Sequence, residues 1–286
     1  MKNIGVTGAE GRVGRLVVDE LLRTGYHVTA ITMQPWAHCP AQADNRVADI
    51  VNYDEMYAAF EGCDAIIHLA GIPMPIEGQD SHVFQTNVMG VFNAGLAAGM
   101  HGIRKLVIAS SDCSLGITFS HQLTRPAYVP LDEQHPTEPD NCYGLSKLVG
   151  EQVAEGMAKR FGMAIVSLRI SAVLNTELYQ IDWFLNDLED PTRGATDNLW
   201  NYVDSRDCAV AFRLAVEADI TGHEIIHITA ADTRAEVPSA ELIERFFPDV
   251  PVKREIPGHV TLHDTSKSQR LLGFYPQHSW RDGNGS

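Results

Sequence analysis

Along the first 170 residues, hydrophobic positions switch repeatedly between a strand rhythm and a helical one. Residues 2–7, KNIGVT, read as a short strand that runs directly into glycines. From Arg12 to Arg23 the apolar Val13, Leu16, Val17, Leu21 and Leu22 recur at helical spacing, and Gly25 stops the helix. The β-branched HVTAIT (27–32) predicts a second strand and residues 46–50 a short third. A helix follows over Tyr53–Phe60, closed by Gly62, and then a buried strand in DAIIHLAG (64–71). A long helix over Ser81–Met100, a strand at 104–110, a helix over Asn141–Phe161 and a strand at 163–170 continue the alternation. Strand and helix in this order build βαβ units, hence a parallel sheet with helices on both faces. Right-handed crossovers place a ligand at the carboxyl ends of such strands.

The rhythm changes after Ile170. Residues 171–203 are weakly periodic and carry Trp183 and Trp200, HEIIHITA (223–230) returns to the sheet, and the chain beyond it is Pro-rich and irregular. The expected architecture is therefore α/β, a doubly wound, Rossmann-like parallel sheet with a small C-terminal substrate lobe. Residues 1–170, rejoined by about 204–230, form the dinucleotide-binding domain, and 171–203 with 231–286 form the lobe.

Composition narrows the partners. With 22 Lys+Arg against 37 Asp+Glu the net charge is −15. An acidic body repels nucleic-acid backbones and anionic lipid, so neither is an expected partner, whereas a small-molecule substrate is. No long apolar run suggests a membrane span. The five scattered cysteines, without a C-x-x-C, read as reduced thiols in a cytoplasmic protein.

Three motifs carry chemistry. In TGAEGRVG (7–14), Gly8 turns tightly after the strand, Gly11 lets backbone approach a pyrophosphate, and Gly14 lets the helix lie close to the sheet. The following helix start offers N–H groups and partial positive charge to phosphates. Tyr143 and Lys147, four apart on a helix, share a face. A phenol with a pKa near 10 becomes a usable proton shuttle when an ammonium stabilises its phenolate, although the same spacing also describes a solvated face. Ser110 and Ser111 stand at a strand's carboxyl end, where a hydroxyl can meet a reacting oxygen or simply cap a turn.

Together these segments resemble the extended short-chain dehydrogenase/reductases, the NAD-dependent epimerase/dehydratase family. The resemblance also takes in DAIIHLAG, VIASSDCSLG, PLDEQHPTEPDNCYGLSK, NYVDSRDCAVAF (201–212) and DTSKSQRLLGFYP (264–276), in order and over nearly the whole length. It implies a Ser–Tyr–Lys trio at Ser111, Tyr143 and Lys147. Ser111 is preferred to Ser110 because it stands five residues before Gly116. Asn87 is implied near the site, and Asp49 as an adenine-contacting acid. The dinucleotide contacts it implies are Gly8, Glu10, Gly11, Arg12, Val13, Asp49, Ile50, Leu69, Ala70, Gly71, Asn87, Tyr143 and Lys147. A homodimer is expected, and the cofactor is NAD or NADP. The second strand ends in Thr32-Met33-Gln34, with neither the acid that favours a 2′-hydroxyl nor an arginine for a 2′-phosphate.

The implied activity is hydride transfer between the nicotinamide and a carbinol or carbonyl carbon of a small sugar, sugar acid or polyol-like substrate. Nucleotide-sugar epimerisation or dehydration is the alternative, and a non-catalytic cofactor sensor a further one. In outline the chain is closest to the short uronate-dehydrogenase-like members, but it lacks their arginine pair after the LRI strand, where it reads SAVLNTELYQIDWF. Arg125 and Arg193 are candidate replacements. No metal site is expected: His223-Glu-Ile-Ile-His227 matches a zinc-protease string, but its surroundings read as a strand, which would set the two imidazoles about 13 Å apart.

Overall fold

The computed structural model describes residues 2–121, 124–180, 190–193 and 198–283. Its centre is a seven-stranded, wholly parallel sheet. The strands are β1 (Asn3–Thr7), β2 (His27–Thr32), β3 (Ala43–Val47), β4 (Ala65–His68), β5 (Lys105–Ser111), β6 (Ala164–Ile170) and β9 (His223–Ile228), in spatial order β3-β2-β1-β4-β5-β6-β9. A two-stranded ladder, β7 (Val173–Leu174) with β8 (Val203–Asp204), stands apart. The interior strands are buried on both faces, which explains their near-continuous apolar runs.

Helices α1 (Arg12–Arg23), α2 (Tyr53–Ala59), α3 (Asp80–Met100) and α4 (Cys142–Phe161) fill the crossovers, and α5 (Ser205–Glu217) leads into β9. Val17, Val18 and Leu21 of α1 join Phe212 and Ala215 of α5 on one face of the sheet. Ala94, Ala97 and Ala98 of α3 join Ala154 and Met157 of α4 on the other. The small side chains let these two long helices lie close: a Cβ at Gly95 would come within 2.7 Å of Met157. The Asn141 side chain accepts from Gly144 N and fixes the start of α4, while Gly162, in the left-handed region, ends it.

The structure moves several expected boundaries. The third strand spans Ala43–Val47 rather than 46–50, because Ala43, Asp44 and Asn45 pair with β2 despite their polar, half-exposed pattern. The stretch read as irregular holds α6 (Ser239–Phe246) and α7 (Ser266–Leu272). Both are too short for a clear helical period, and α6 is held by Leu242 and Ile243. The surroundings of α6 form a separate apolar cluster with Trp200, Phe247 and Leu262, which also recruits Leu115, Ile117, Val129 and Leu131 from the long β5–α4 connection, whereas Leu272 of α7 joins the main core of the sheet. Trp183 lies outside the described residues.

The chain's last described turn is pinned to much earlier segments. Buried Trp280 donates to the Thr233 carbonyl, Tyr202 receives the Trp280 N–H, and Arg281 meets Asp232. The buried Asp207 carboxylate accepts from Gln277 N, His278 N and His278 Nδ1.

Candidate active site

The site begins with the turn after β1. Gly8 has φ +68°, and a Cβ there would lie 2.8 Å from Ala70 N, so the β1 and β4 ends approach closely only without a side chain. Thr7 fixes the same junction: its hydroxyl meets His68 Nδ1 at 2.8 Å and receives Ala70 N at 3.2 Å. A Cβ at Gly14 would strike the Gly8 carbonyl oxygen. Gly11 caps α1 with no side-chain bond, and no acid occupies the first turn. The cradle thus presents bare backbone and a positive helix end, which fits a pyrophosphate.

Around it, the Glu10 carbonyl receives Arg15 Nε, Arg12 Nη2 reaches the Val173 carbonyl at 3.0 Å, and Val13 packs on the core. Asp49 Oδ1 accepts from Val51 N, so its carboxylate shapes its own turn, and the buried Ile50 gives its carbonyl to Asn93. Leu69 N donates to the Thr7 carbonyl. Gly71 has no room for a Cβ because Asn87 Oδ1 would be 2.8 Å away. Asn87 is fully bonded: Oδ1 accepts from Ile72 N, and Nδ2 donates to the Ile72 carbonyl and to Ser146 Oγ. It ties the loop after β4 to α4 and touches none of the trio directly through these bonds.

The trio meets at the end of β5. Strand alternation turns the adjacent serines apart. Ser110 Oγ donates to Glu151 Oε1 at 2.6 Å, a buried structural bond, whereas the Ser111 side chain is hydrogen-bonded to Tyr143 and receives Cys113 N. Lys147, one helical turn after Tyr143, donates to the Ala109 carbonyl at 2.8 Å and lies 5.4 Å from the Tyr143 ring centroid. Burial pulls its ammonium down to about 8, against the opposing influence of Cys113 and Glu151. The expected lowering of the Tyr143 phenol by Lys147 is not what the structure shows. Burial dominates and pushes the phenol up, with Cys113 and Asp112 adding to the rise and Ser111 opposing it.

Beneath the trio, Arg169 and Glu151 form a buried bidentate pair at 2.9 and 2.8 Å. One cavity is lined by Ala70 from the glycine-cradle side and by Lys147, His68 and Asn87. Sequence reading passed over Asp112, which accepts from Ser111, and Asn201 and His263 behind it, although each stands within or beside a motif already noted. Asp112 follows Ser111 and Asn201 opens NYVDSRDCAVAF. His263 directly precedes DTSKSQRLLGFYP. Arg125 is half-exposed, 3.8 Å from Asp249. The HEIIH string lies on β9, where His223 Nε2 meets Ser167 Oγ and His227 is buried.

The wholly parallel sheet, the glycine turn and the Ser–Tyr–Lys cluster define an extended short-chain dehydrogenase/reductase. The family model described as "NAD dependent epimerase/dehydratase family" matches residues 4–229, and the chain belongs to that family. It is similar to an L-arabinose 1-dehydrogenase (NAD(P)(+)) of Haloferax volcanii, with 33% identity over 77% of this chain and 84% of that enzyme. It is also similar to a uronate dehydrogenase of Pseudomonas syringae pv. tomato, with 32% identity over 58% of each chain. In fold it matches a short-chain dehydrogenase/reductase superfamily protein of Agrobacterium tumefaciens with bound NAD. There the TM-score is 0.74 at 22% identity, over 98% of this chain and 94% of that one.

Proposed function

We propose that the protein is an NAD(P)-dependent dehydrogenase of a small sugar, sugar acid or polyol-like substrate, acting by net oxidation or reduction rather than epimerisation. The observation that carries this reading is the meeting of Ser111, Tyr143 and Lys147 at the carboxyl end of β5, where Lys147 shares a small cavity with Ala70, the residue packed against Gly8. A bound nicotinamide supplies the hydride acceptor. Ser111 holds the reacting oxygen, Tyr143 takes its proton, and Lys147 works against the burial that raises the phenol and holds the nicotinamide ribose. The cradle residues and Asp49 hold the dinucleotide. Either NAD or NADP fits the second strand's end, where Thr32 is buried, Met33 exposed and no acid opposes a 2′-phosphate.

Segments 171–203 and 231–286 supply the substrate lobe in this reading. It is small for gripping a nucleotide while a sugar turns over, which favours one-way transfer. Among the described residues no helix is long and apolar enough to cross a membrane, and all five cysteines are unpaired, in keeping with a cytoplasmic enzyme. A homodimer is proposed through α3, whose Phe84, Met89 and Phe92 are exposed. Sedimentation as a monomer would remove that element.

Purified protein is to be incubated with NAD or NADP and a panel of sugars, sugar acids and nucleotide sugars. Stoichiometric accumulation of reduced cofactor is the expected result. An inverted stereocentre without net cofactor change would establish the epimerase reading instead.

A further inference from the structure

Beside the trio, β4, β5, α3 and α4 meet around a small cavity with room for one water molecule and no more. His68, Ser146 and Lys147 all border it. His68 is 2% exposed, and its two ring nitrogens are differently placed. Nδ1 meets Thr7 Oγ1 at 2.8 Å, whereas Nε2 is buried and has no partner in the protein. Burial first, and then the Lys147 charge, lower His68 to about 3, so the ring is neutral. Thr7 decides which nitrogen carries the proton. It is wholly buried, its oxygen already receives Ala70 N, and Nδ1 is the one acceptor its hydroxyl meets among the described residues. The hydroxyl therefore donates to Nδ1, and the ring keeps its hydrogen on Nε2. Thr7 is not in the cavity wall and His68 is, so the ring edge turned to the cavity is the one that carries Nε2–H.

Two further groups there have capacity to spare. The Lys147 ammonium has three hydrogens and gives one to the Ala109 carbonyl, at 2.8 Å. Ser146 Oγ donates to the Tyr143 carbonyl and accepts from Asn87 Nδ2, which leaves it one lone pair. The wall thus offers two donors and one acceptor, about the three partners a buried water takes.

Resting on the reading that a charged Lys147 serves the Tyr143 phenol, we propose that this cavity binds one water, which accepts from His68 Nε2–H and Lys147 Nζ and donates to Ser146 Oγ, and that His68 is thereby a positioning residue for the lysine. By accepting from the ammonium, the water favours its charged form against the burial that pulls it down. Cys113, on the turn after β5, and Glu151, on α4, act in the same sense, while His68 on β4 faces the lysine as a neutral group. The lysine is also tied to the glycine turn, since Thr7 joins His68 to Ala70 and Ala70 packs on Gly8.

A high-resolution crystal structure with NAD or NADP bound should show one water within about 3.2 Å of both His68 Nε2 and Lys147 Nζ. An empty cavity, or a water that reaches only one of them, would overturn the assignment. Gly150→Ala removes the water without touching any of its partners. Gly150 borders the cavity, and a Cβ there meets only Val91, at 3.5 Å, so the methyl fits and takes up the space. Loss of a hydrogen bond to a charged group should lower Lys147 by about one pH unit. Activity falls as pH rises through the lysine's value, so the alkaline limb of kcat/KM should move down from about 8 by that amount. A dry cavity predicts an unmoved limb and a higher Tm, because alanine suits a helix interior better than glycine. His68→Gln and His68→Met both leave Thr7 without its acceptor, but only glutamine keeps a donor near the place of Nε2. The limb should stay close to wild type in the first and shift in the second, and equal shifts would refute the role of Nε2. The crystallographic readout needs no substrate, so the bridging water found in a protein that oxidises or reduces no sugar would remove the dehydrogenase reading and leave the water site standing.

Discussion

Replacing Glu151 with glutamine removes one charge from a pair that is almost wholly shut off from solvent. Glu151 is 1% and Arg169 3% exposed, and the pair is bidentate, with Ser110 as a third partner. Arg169 Nη1 already lacks a partner, so the guanidinium depends on this carboxylate for compensation. Breaking one side of a buried pair costs about 3–5 kcal/mol, because a charge is left without its counter-charge. In Glu151→Gln the amide keeps an oxygen for one of the three bonds, which sets the expectation near the lower limit, about 3 kcal/mol. That is roughly a hundredfold in the unfolding constant, or about 5 °C in Tm for a chain of this size. Urea unfolding of wild type and variant, followed by circular dichroism and fluorescence, measures it. The double replacement Glu151→Met with Arg169→Met should recover much of the loss, since no charge then remains buried. A single-variant loss below about 1 kcal/mol would refute the reasoning. Glu151 also raises Lys147, so its removal should shift the lysine further down.

Gly11→Val should abolish dinucleotide binding in calorimetry yet leave the protein folded, because a Cβ there meets only the Gly8 carbonyl, at 3.1 Å. Retained affinity would move the pyrophosphate elsewhere. Tyr143→Phe should slow turnover by about 10²–10⁴ and spare cofactor binding, since the ring stays and only the proton relay goes. A rate above about a tenth of wild type would assign the proton to another group. Buried His68 and His263, each lowered to about 3, stay neutral where the unfolded chain protonates, so their stabilising contribution is complete above about 6.5 and is lost as pH falls toward 3. Asp112, raised to about 6, works in the opposite sense over 6 to 3.8. His263→Gln should therefore lose less stability than wild type between pH 7 and pH 5, by about 2 kcal/mol in urea titrations, and equal slopes would contradict the assignment.

The elements that carry the cradle were legible because their signals are local. A β-branched run, a glycine turn and an amphipathic helix identify β1, α1 and β2 without knowledge of anything distant. Ser111 and Ser110 show where local reading weakens. Their spacing to Gly116 picks one, but the physical distinction is that Ser110 faces Glu151 across the sheet–helix interface. The phenol's environment was not legible at all. Tyr143 and Lys147 share a helix face, yet burial among Val83, Cys113 and Ile72, not the charge four residues away, dominates the phenol. Asp112, Asn201 and His263 come from three distant stretches and meet only through the tertiary fold. Helices α6 and α7 escaped for a related reason: seven or eight residues owe their helicity to the surface they cover rather than to propensity.

The pinned last turn has a temporal meaning. Trp280 closes on Tyr202, 78 positions earlier, and His278 on Asp207, 71 positions earlier. At about 5–20 residues per second of synthesis, Tyr202 waits roughly 4–16 s for its partner to be made. Throughout that interval the Asp207 carboxylate lacks three of its hydrogen bonds, and the surface that Trp280 will cover stays open. The sheet up to β6 is complete long before, so the nascent chain carries an assembled cradle while the segments around Tyr202 and Asp207 wait for the last turn. A ribosome-stalled chain ending before residue 277 should accordingly be cut by protease near the segments that the last turn pins, around Tyr202 and Asp232, and resist it within the sheet.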